Sequence, residues 1–168
     1  MKAGQEQEQI LGRLRQIKLF DEIKNHDEFM NALLKICKMR HSKAREIIIQ
    51  EGETGSEMFI VHKGGVEILK RTRAGDNYTV IKLKAEQNVF FGELGLIDDD
   101  KRSATVTATE DSDFIVISKD DFIKLGDTLP FAGLVVTRAI SIILAGRLRK
   151  TTTDMLTIFD ALVNEIST

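Results

Sequence analysis

Six short apolar segments separated by glycine-containing breaks limit the folds that this chain can adopt. Within the segments the apolar residues partly alternate with polar ones, as in β-strands that have one buried face. Glycine at the breaks favours turns. Many short strands at this spacing predict a β-sandwich or a β-barrel. The segments are residues 46–49, 58–62, 65–70, 78–83, 102–109 and 113–117, with breaks at Gly52, Gly55, Gly64, Gly65 and Gly75.

Apolar residues at helical spacing precede the predicted strands. Residues 1–9 are polar and are expected to be frayed. A first helix is predicted from Ile10, and residues 27–39 predict a second helix that has Asp27 near its start. The N-terminal helices are therefore assigned to residues 10–39 and the β-barrel to residues 45–118.

A short helix and then a long one are predicted after the last strand. Ser118 suits the N-cap of a helix with acidic residues in its first turn, and Gly126 is expected to end that helix. Pro130 suits the first position of a new helix, which can continue to Ile166. The C-terminal helices are assigned to residues 119–168.

The long predicted helix carries a heptad seam. Its positions follow steps of three and four residues, apolar in the middle but polar at both ends and at Thr151. A helix of this kind either pairs with a second copy or folds as a lid over its own barrel. The seam consists of Ser141, Leu144, Leu148, Thr151, Met155, Ile158, Leu162 and Glu165.

Composition and charge exclude several classes of protein. A hydrophobic content of 42% and a charged content of 30% are ordinary for a soluble globular domain. The formal net charge of −2 gives no electrostatic reason to expect a nucleic-acid partner. The N-terminus lacks the apolar run of a signal peptide, and no span of eighteen apolar residues is apparent. The lone Cys37 suits a reducing compartment, so a cytoplasmic protein with no membrane segment is predicted.

The segment of residues 90–106 combines the residue types of an anion site. Gly92 and Gly95 flank a glutamate, and glycine lets backbone amides approach a ligand that a Cβ would exclude. Arg102 opens the next predicted strand, and its guanidinium can bind two phosphate oxygens at once. Ser103 adds a hydroxyl donor beside it. These residues predict an anion site of low charge, because no Gly-rich loop with a lysine for a triphosphate is present.

The carboxylate of Glu93 does not fit a site that binds only a phosphate. It would repel the anion, but it can accept a hydrogen bond from a sugar hydroxyl beside that phosphate. A nucleotide with a singly charged phosphate and a free ribose hydroxyl meets both requirements. A 3′,5′-cyclic nucleotide has these two features.

The motif Phe-Gly-Glu-Leu-Gly-Leu at residues 91–96, followed by Arg-Ser-Ala at 102–104, resembles the phosphate-binding cassette of the cyclic-nucleotide-binding domain family. The variant with Gly95 and Ser103 is similar to the catabolite-activator branch. Lys101 replaces the proline of many relatives. The resemblance implies that Glu93 binds the ribose 2′-hydroxyl and that Arg102 and Ser103 bind the phosphate. The full set of implied cassette contacts is Gly92, Glu93, Leu94, Gly95, Arg102, Ser103 and Ala104.

The resemblance also implies a fold and a partner. The fold is mainly β with flanking α: an eight-stranded jelly-roll barrel (a double Greek key) with N-terminal helices and a long C-terminal helix, in a single domain of residues 1–168 with the cassette at 91–106. The branch implies a homodimer through the C-terminal helix, with Thr151 and Thr152 contacting the base. Three solvent-facing threonines on a helix are the alternative. The ligand is expected to be cyclic AMP, with cyclic GMP as the other possibility.

The functional prediction is a stand-alone regulatory module that binds a cyclic nucleotide and signals, through movement of its C-terminal helix, to a protein partner of unknown identity. No DNA-binding helix-turn-helix follows the long helix in this sequence. No cofactor, no metal site and no catalytic constellation are predicted, because the histidines are scattered and no nucleophile-elbow motif occurs. The alternative is a ligand-independent structural or interaction protein that keeps the fold.

Overall fold

A computed structural model of the chain describes residues 2–72 and 75–166. Residue 1 and residues 167–168 of the predicted domain lie outside the described residues. Eight strands form the centre of the molecule, with helices at both ends of the chain. The strands are β1 (Cys37–Ser42), β2 (Ile47–Ile49), β3 (Glu57–Lys63), β4 (Gly65–Arg71), β5 (Asn77–Lys84), β6 (Phe90–Phe91), β7 (Thr105–Ala108) and β8 (Ser112–Ser118). The helices are α1 (Lys2–Leu14), α2 (Asp27–Ile36), α3 (Leu94–Ile97), α4 (Lys119–Thr128) and α5 (Pro130–Ile166).

The strands form two four-stranded sheets in which every pairing is antiparallel. The first sheet has the order β1-β8-β3-β6 and the second has the order β2-β7-β4-β5. Neighbours in each sheet are mostly distant in sequence, as in a jelly roll, where the chain crosses repeatedly between the sheets. The predicted fold, mainly β with eight strands, N-terminal helices and a long C-terminal helix, is confirmed.

Two strands were not predicted from the sequence, and one of them replaces part of a predicted helix. The second helix ends at Ile36 rather than at Met39, and the next six residues form β1. Each residue of β1 pairs with a residue of β8, from Cys37 with Ile117 to Ser42 with Ser112. The barrel therefore begins at Cys37 rather than at residue 45, because pairing along a whole strand edge outweighs helical periodicity. The other unpredicted strand is the two-residue β6.

The N-terminal helix α1 begins at Lys2, so the expectation of frayed residues is wrong for residues 2–9. Arg13 attaches this helix to the barrel. Its guanidinium donates to the backbone oxygens of His62 at 3.0 Å and Ala85 at 3.1 Å, and to Asn88 Oδ1 at 2.6 Å. These three contacts fix the end of α1 against the β3 and β5–β6 region.

The apolar residues bury themselves in two separate clusters. The cluster between the sheets holds three phenylalanines and several β-branched residues, including Phe59, Val61, Val66, Phe91, Val106 and Phe114. The larger cluster lies between the helices and the first sheet, and includes Leu14, Phe20, Met30, Ile60, Ile115, Val135 and Ile140. The first sheet therefore contributes one face to each cluster, since alternate residues of β3 point to opposite sides.

The C-terminal helices start as predicted, but α4 is longer than predicted. The Ser118 side chain accepts a hydrogen bond from the Asp121 amide at 3.2 Å and so caps α4. The prediction that Gly126 ends this helix is wrong, since α4 continues to Thr128. Gly126 instead lies where α5 packs closely on α4, and the glycine that allows this contact is Gly133: a Cβ on Gly133 would lie 2.7 Å from the Gly126 Cα.

The two halves of α5 have different surroundings. Its first half packs into the larger core through Ala132, Val135, Val136 and Ile140, which are at most 2% exposed. From Arg147 to Glu165 every residue is exposed. By length and composition alone, α5 is also the one helix among the described residues that is long and apolar enough to cross a membrane. Buried core helices of soluble proteins meet the same criteria.

We predict that the thiol of Cys37 is unreactive in the folded protein. Burial raises its pKa to about 12, and its Sγ lies 3.2 Å from the Leu33 carbonyl oxygen. At pH 8 the thiolate fraction is then at least about a hundredfold lower than for a free cysteine with a pKa near 8.5. Alkylation at pH 8, followed by mass spectrometry, should be correspondingly slower in buffer than in urea. Equal labelling rates under both conditions would contradict this placement.

Candidate functional site

The backbone of Arg102 is held by the turn between β2 and β3. Its amide donates to the Glu53 carbonyl at 2.8 Å, and its own carbonyl accepts from the Gly52 amide at 2.9 Å. The arginine was predicted to open a strand, but β7 begins only at Thr105. Arg102 therefore lies in a loop whose position the opposite turn fixes.

The guanidinium of Arg102 points into the cassette. One terminal nitrogen donates to the Gly92 carbonyl at 3.2 Å, and the other donates to the Glu57 carbonyl at 2.8 Å. Burial lowers the pKa of Arg102, while the carboxylates of Glu57 and Glu93 raise it, and the group stays charged at neutral pH. Of its five N–H groups, three have no acceptor among the described residues. A cation with spare donors therefore stands beside the cassette backbone.

An aromatic cluster anchors the start of the cassette. Phe91 stacks on Phe59 with ring centroids 5.2 Å apart and an interplanar angle of 7°. Both rings meet Phe114 edge-on, at 5.8 and 6.3 Å. These residues come from β6, β3 and β8, which are neighbours in the first sheet. The packing fixes Phe91, the residue immediately before Gly92. The position of the cassette relative to the barrel is therefore defined where it follows β6.

Gly92 and Gly95 are needed for close approach to Arg102. Gly92 has a φ of 75°, a left-handed conformation that favours glycine. A Cβ on Gly95 would lie 2.7 Å from a terminal nitrogen of Arg102 and 2.8 Å from the Gly55 carbonyl oxygen. Between them, Leu94 opens the single turn of α3. The cassette therefore contains a single helical turn that follows Glu93 directly.

Glu93 is buried, with 3% of its surface exposed, and it forms an ion pair with Arg147 of α5. An isolated buried carboxylate is costly, so the pair explains how Glu93 remains inside the protein. Arg147 was not singled out from the sequence. In the sequence, Arg147 is the first residue of the segment 147–153, which also contains the predicted base contacts Thr151 and Thr152.

The structure brings Gly92, Glu93, Gly95 and Arg102 into one site. Leu94, Ser103 and Ala104 adjoin these four along the chain, whereas Thr151 and Thr152 are on α5. Leu94 and Ala104 are half-buried, and Ser103 is exposed. Thr151 and Thr152 are exposed on α5, and Thr151 shares a helix face with Arg147, four residues earlier. The Thr152 hydroxyl donates to the Leu148 carbonyl at 3.0 Å.

The arrangement places a cation and an anion on one short stretch of backbone. Arg102 offers donors to a negatively charged group, while Glu93 offers an acceptor to a hydroxyl. A ligand that carries an anion and a hydroxyl on adjacent atoms would engage both. No cluster of three or more His, Cys, Asp or Glu side chains suited to a metal ion occurs within residues 2–72 and 75–166.

Comparison with known proteins identifies relatives along most of the chain. The family model described as cyclic nucleotide-binding domain matches residues 39–129. The cGMP-dependent protein kinase 2 of Homo sapiens is 32% identical over 116 residues. The Cyclic AMP receptor protein of Thermus thermophilus is 29% identical over 103 residues. A cyclic nucleotide-binding domain from Methylobacillus flagellatus superposes with a TM-score of 0.75 at 26% identity, covering 92% of this chain and 84% of that one.

The curated relatives are much longer than this chain. The alignment covers 68% of this chain but 15% of the human kinase, and 61% of this chain but 45% of the Thermus receptor. The similarity therefore concerns one domain of each relative.

We predict that Arg147→Ala lowers the free energy of unfolding by about 1–3 kcal/mol, because Glu93 stays buried and loses its cation. Arg147 is itself half exposed, which places the expected value toward the lower end. Urea denaturation measures the change. The matched control is Arg149→Ala, at an exposed position on the same helix, which should change stability by at most about 0.5 kcal/mol. Equal losses in the two variants would show that the ion pair contributes nothing.

Proposed function

This chain belongs to the cyclic nucleotide-binding domain family, and from that premise we propose that it is a regulatory module that binds a cyclic nucleotide and signals through its C-terminal helix. The observation that carries the proposal is the juxtaposition of Arg102 with Glu93. The cation suits the single charge of a cyclic phosphate, and the carboxylate suits the ribose hydroxyl beside it.

The proposed ligand contacts divide between the two ends of the cassette. The backbone of Gly92, Leu94 and Gly95 approaches the sugar and phosphate, since the two glycines leave room for a ligand. Arg102 and Ser103 bind the phosphate, with Ala104 beside them. Exposure of the Ser103 side chain supports this role, because the hydroxyl is accessible to an incoming ligand.

The Arg147–Glu93 pair supports a route from the ligand to α5. In the structure the Glu93 carboxylate pairs with Arg147 of α5. A ribose hydroxyl that donates to the same carboxylate competes with Arg147 or shares Glu93 with it. Either result changes the interaction energy between the cassette and the helix, so ligand binding shifts the preferred position of α5. The effector that reads this position is proposed to be a protein.

Cyclic AMP is the proposed ligand, with cyclic GMP as the second candidate. The relatives named above include one named for each nucleotide. Ser103 in place of a threonine lacks a feature that the family resemblance associates with guanine binding. Thr151 and Thr152 are the proposed base contacts, and Thr151 supports this best because it shares a helix face with Arg147.

We propose a single domain for residues 1–168 and a cytoplasmic location. The second candidate function is a ligand-independent interaction protein with the same fold. The observation that favours this alternative is the exposed apolar surface of α5, which needs a protein partner whether or not a nucleotide binds.

The proposed partner for that surface is a second copy of the chain. Four seam residues, Leu148, Met155, Ile158 and Leu162, are 52–69% exposed on a helix that extends past the barrel. Their spacing matches the a and d positions of a two-stranded coiled coil. A homodimer through α5 would bury them.

Thermal unfolding with cyclic AMP, cyclic GMP and 5′-AMP tests the ligand. A cyclic nucleotide at a hundred times its dissociation constant should stabilise the protein by about 2.7 kcal/mol, whereas 5′-AMP should have much less effect. Arg102→Ala should weaken binding of the cyclic nucleotide at least about tenfold, because a charge-assisted phosphate contact contributes about 1.5–3 kcal/mol. No stabilisation by either cyclic nucleotide at millimolar concentration would favour the ligand-independent alternative.

Sedimentation of a double variant tests the dimer. Leu148→Asp with Met155→Asp introduces two charges into the apolar seam, so monomers are expected. The matched control adds the same two charges outside the seam, as Thr153→Asp with Thr157→Asp, and should remain dimeric. A seam variant that sediments as a dimer would refute pairing through this face of α5.

A further inference from the structure

The turn between β2 and β3 contains a glycine whose missing side chain makes room for the Arg102 guanidinium. A Cβ built on Gly55 would lie 2.5 Å from Nε, 2.9 Å from one terminal nitrogen and 3.0 Å from the central carbon of Arg102. These are its three nearest atoms, and all belong to the arginine. Distances below 3 Å are shorter than van der Waals contact between heavy atoms, so any other residue at this position meets the guanidinium first.

The geometry of these contacts shows which part of the guanidinium Gly55 faces. The position is nearer to Nε and the terminal nitrogen than to the carbon between them. It therefore lies at the edge that joins Nε to that nitrogen. This edge carries two parallel N–H groups and is one that arginine uses for two-pronged contacts. At the other terminal nitrogen of the guanidinium, a Cβ on Gly95 would lie at 2.7 Å and a Cβ on Gly92 at 3.1 Å.

We propose that Gly55 is a positioning residue for the ligand site: it forms, with Gly92 and Gly95, a slot that holds the Arg102 guanidinium beside Glu93 before any ligand arrives. Inside the slot the arginine donates to the backbone carbonyls of Gly92 and Glu57. Holding a long side chain in one rotamer before binding removes part of the entropy that binding otherwise costs. The inference rests on the proposed function, because Arg102 is taken to bind the phosphate.

Gly55 is a better test position than the other two glycines of the slot. The φ of Gly92 is positive, so a side chain there would strain the backbone. At Gly95 a Cβ would also meet the Gly55 carbonyl oxygen. Gly55 does not have a positive φ, and the three atoms nearest to an added methyl group all belong to the flexible side chain of Arg102. Gly55→Ala should therefore fold normally and displace the guanidinium.

The experiment measures cyclic AMP affinity by titration calorimetry in Gly55→Ala, Arg102→Lys and the double variant. Gly55→Ala should weaken binding at least about fivefold with the melting temperature unchanged within about 2 °C. In the Arg102→Lys background the same alanine should have no further effect, because lysine lacks Nε and the terminal nitrogen. The control Gly12→Ala, where a Cβ would meet nothing within 4 Å, should bind like the parent chain.

Two results would overturn the inference. One is an unchanged or higher affinity in Gly55→Ala while Arg102→Lys binds weakly, which leaves the proposed function intact. The other is an additive loss in the double variant, which means that Gly55 acts independently of Arg102. If the parent chain binds no cyclic nucleotide, the proposed function fails instead. The slot is then tested by the Arg102 Nε–H resonance, which should shift in Gly55→Ala but not in Gly12→Ala.

Discussion

A buried carboxylate paired with a cation from a distant helix is the interaction around which the site is built. Glu93 is almost completely buried. The cation that pairs with it is Arg147 of α5, which lies 54 residues later in the chain. Glu93 would be costly in its place without that cation, because burying a lone charge is unfavourable, whereas Arg147 is half exposed. The barrel and the C-terminal helix are therefore joined at the point where the nucleotide is proposed to bind.

The two arginines of the site are held in different ways. Arg102 belongs to the barrel, and its backbone and side chain are both fixed by the turn and the cassette. Arg147 belongs to α5 and is half exposed, so its position depends on the helix rather than on surrounding packing. A ligand at Glu93 would thus meet one cation held by the barrel and one carried by the helix. This asymmetry supports the proposal that the signal passes through the helix rather than through the sheets.

The sequence predicted the fold through patterns that act locally. Alternation marked six strands, and Pro130 and Ser118 marked two helix starts, because turn and capping preferences depend on neighbouring residues. The same reasoning assigned Lys38 and Met39 to a helix, whereas in the structure they pair with residues of strand β8. This pairing depends on residues far along the chain, so a local sequence pattern cannot predict it. The two-residue β6 is too short to show any periodicity.

The cassette could also be read from sequence, since its glycines, glutamate and arginine lie within twelve residues. The contacts to Gly55 and Arg147 could not. Gly55 looks like an ordinary turn glycine until the loop of Arg102 is placed against it, and Arg147 is one of several basic residues on a helix. Both roles arise from pairs that are more than 40 residues apart, and such pairs leave no spacing to recognise.

The glycine contact between α4 and α5 gives the long helix a fulcrum. At Gly133 the backbones of α4 and α5 pack directly against each other, since a Cβ there would lie 2.7 Å from the Gly126 Cα. At about 1.5 Å per residue, Arg147 lies about 21 Å along the axis from this point, and the end of the helix lies about 50 Å away. A tilt of about 5° would then move Arg147 by about 2 Å and the far end by about 4 Å. A displacement of about 2 Å at Arg147 would thus be about doubled at the far end of α5.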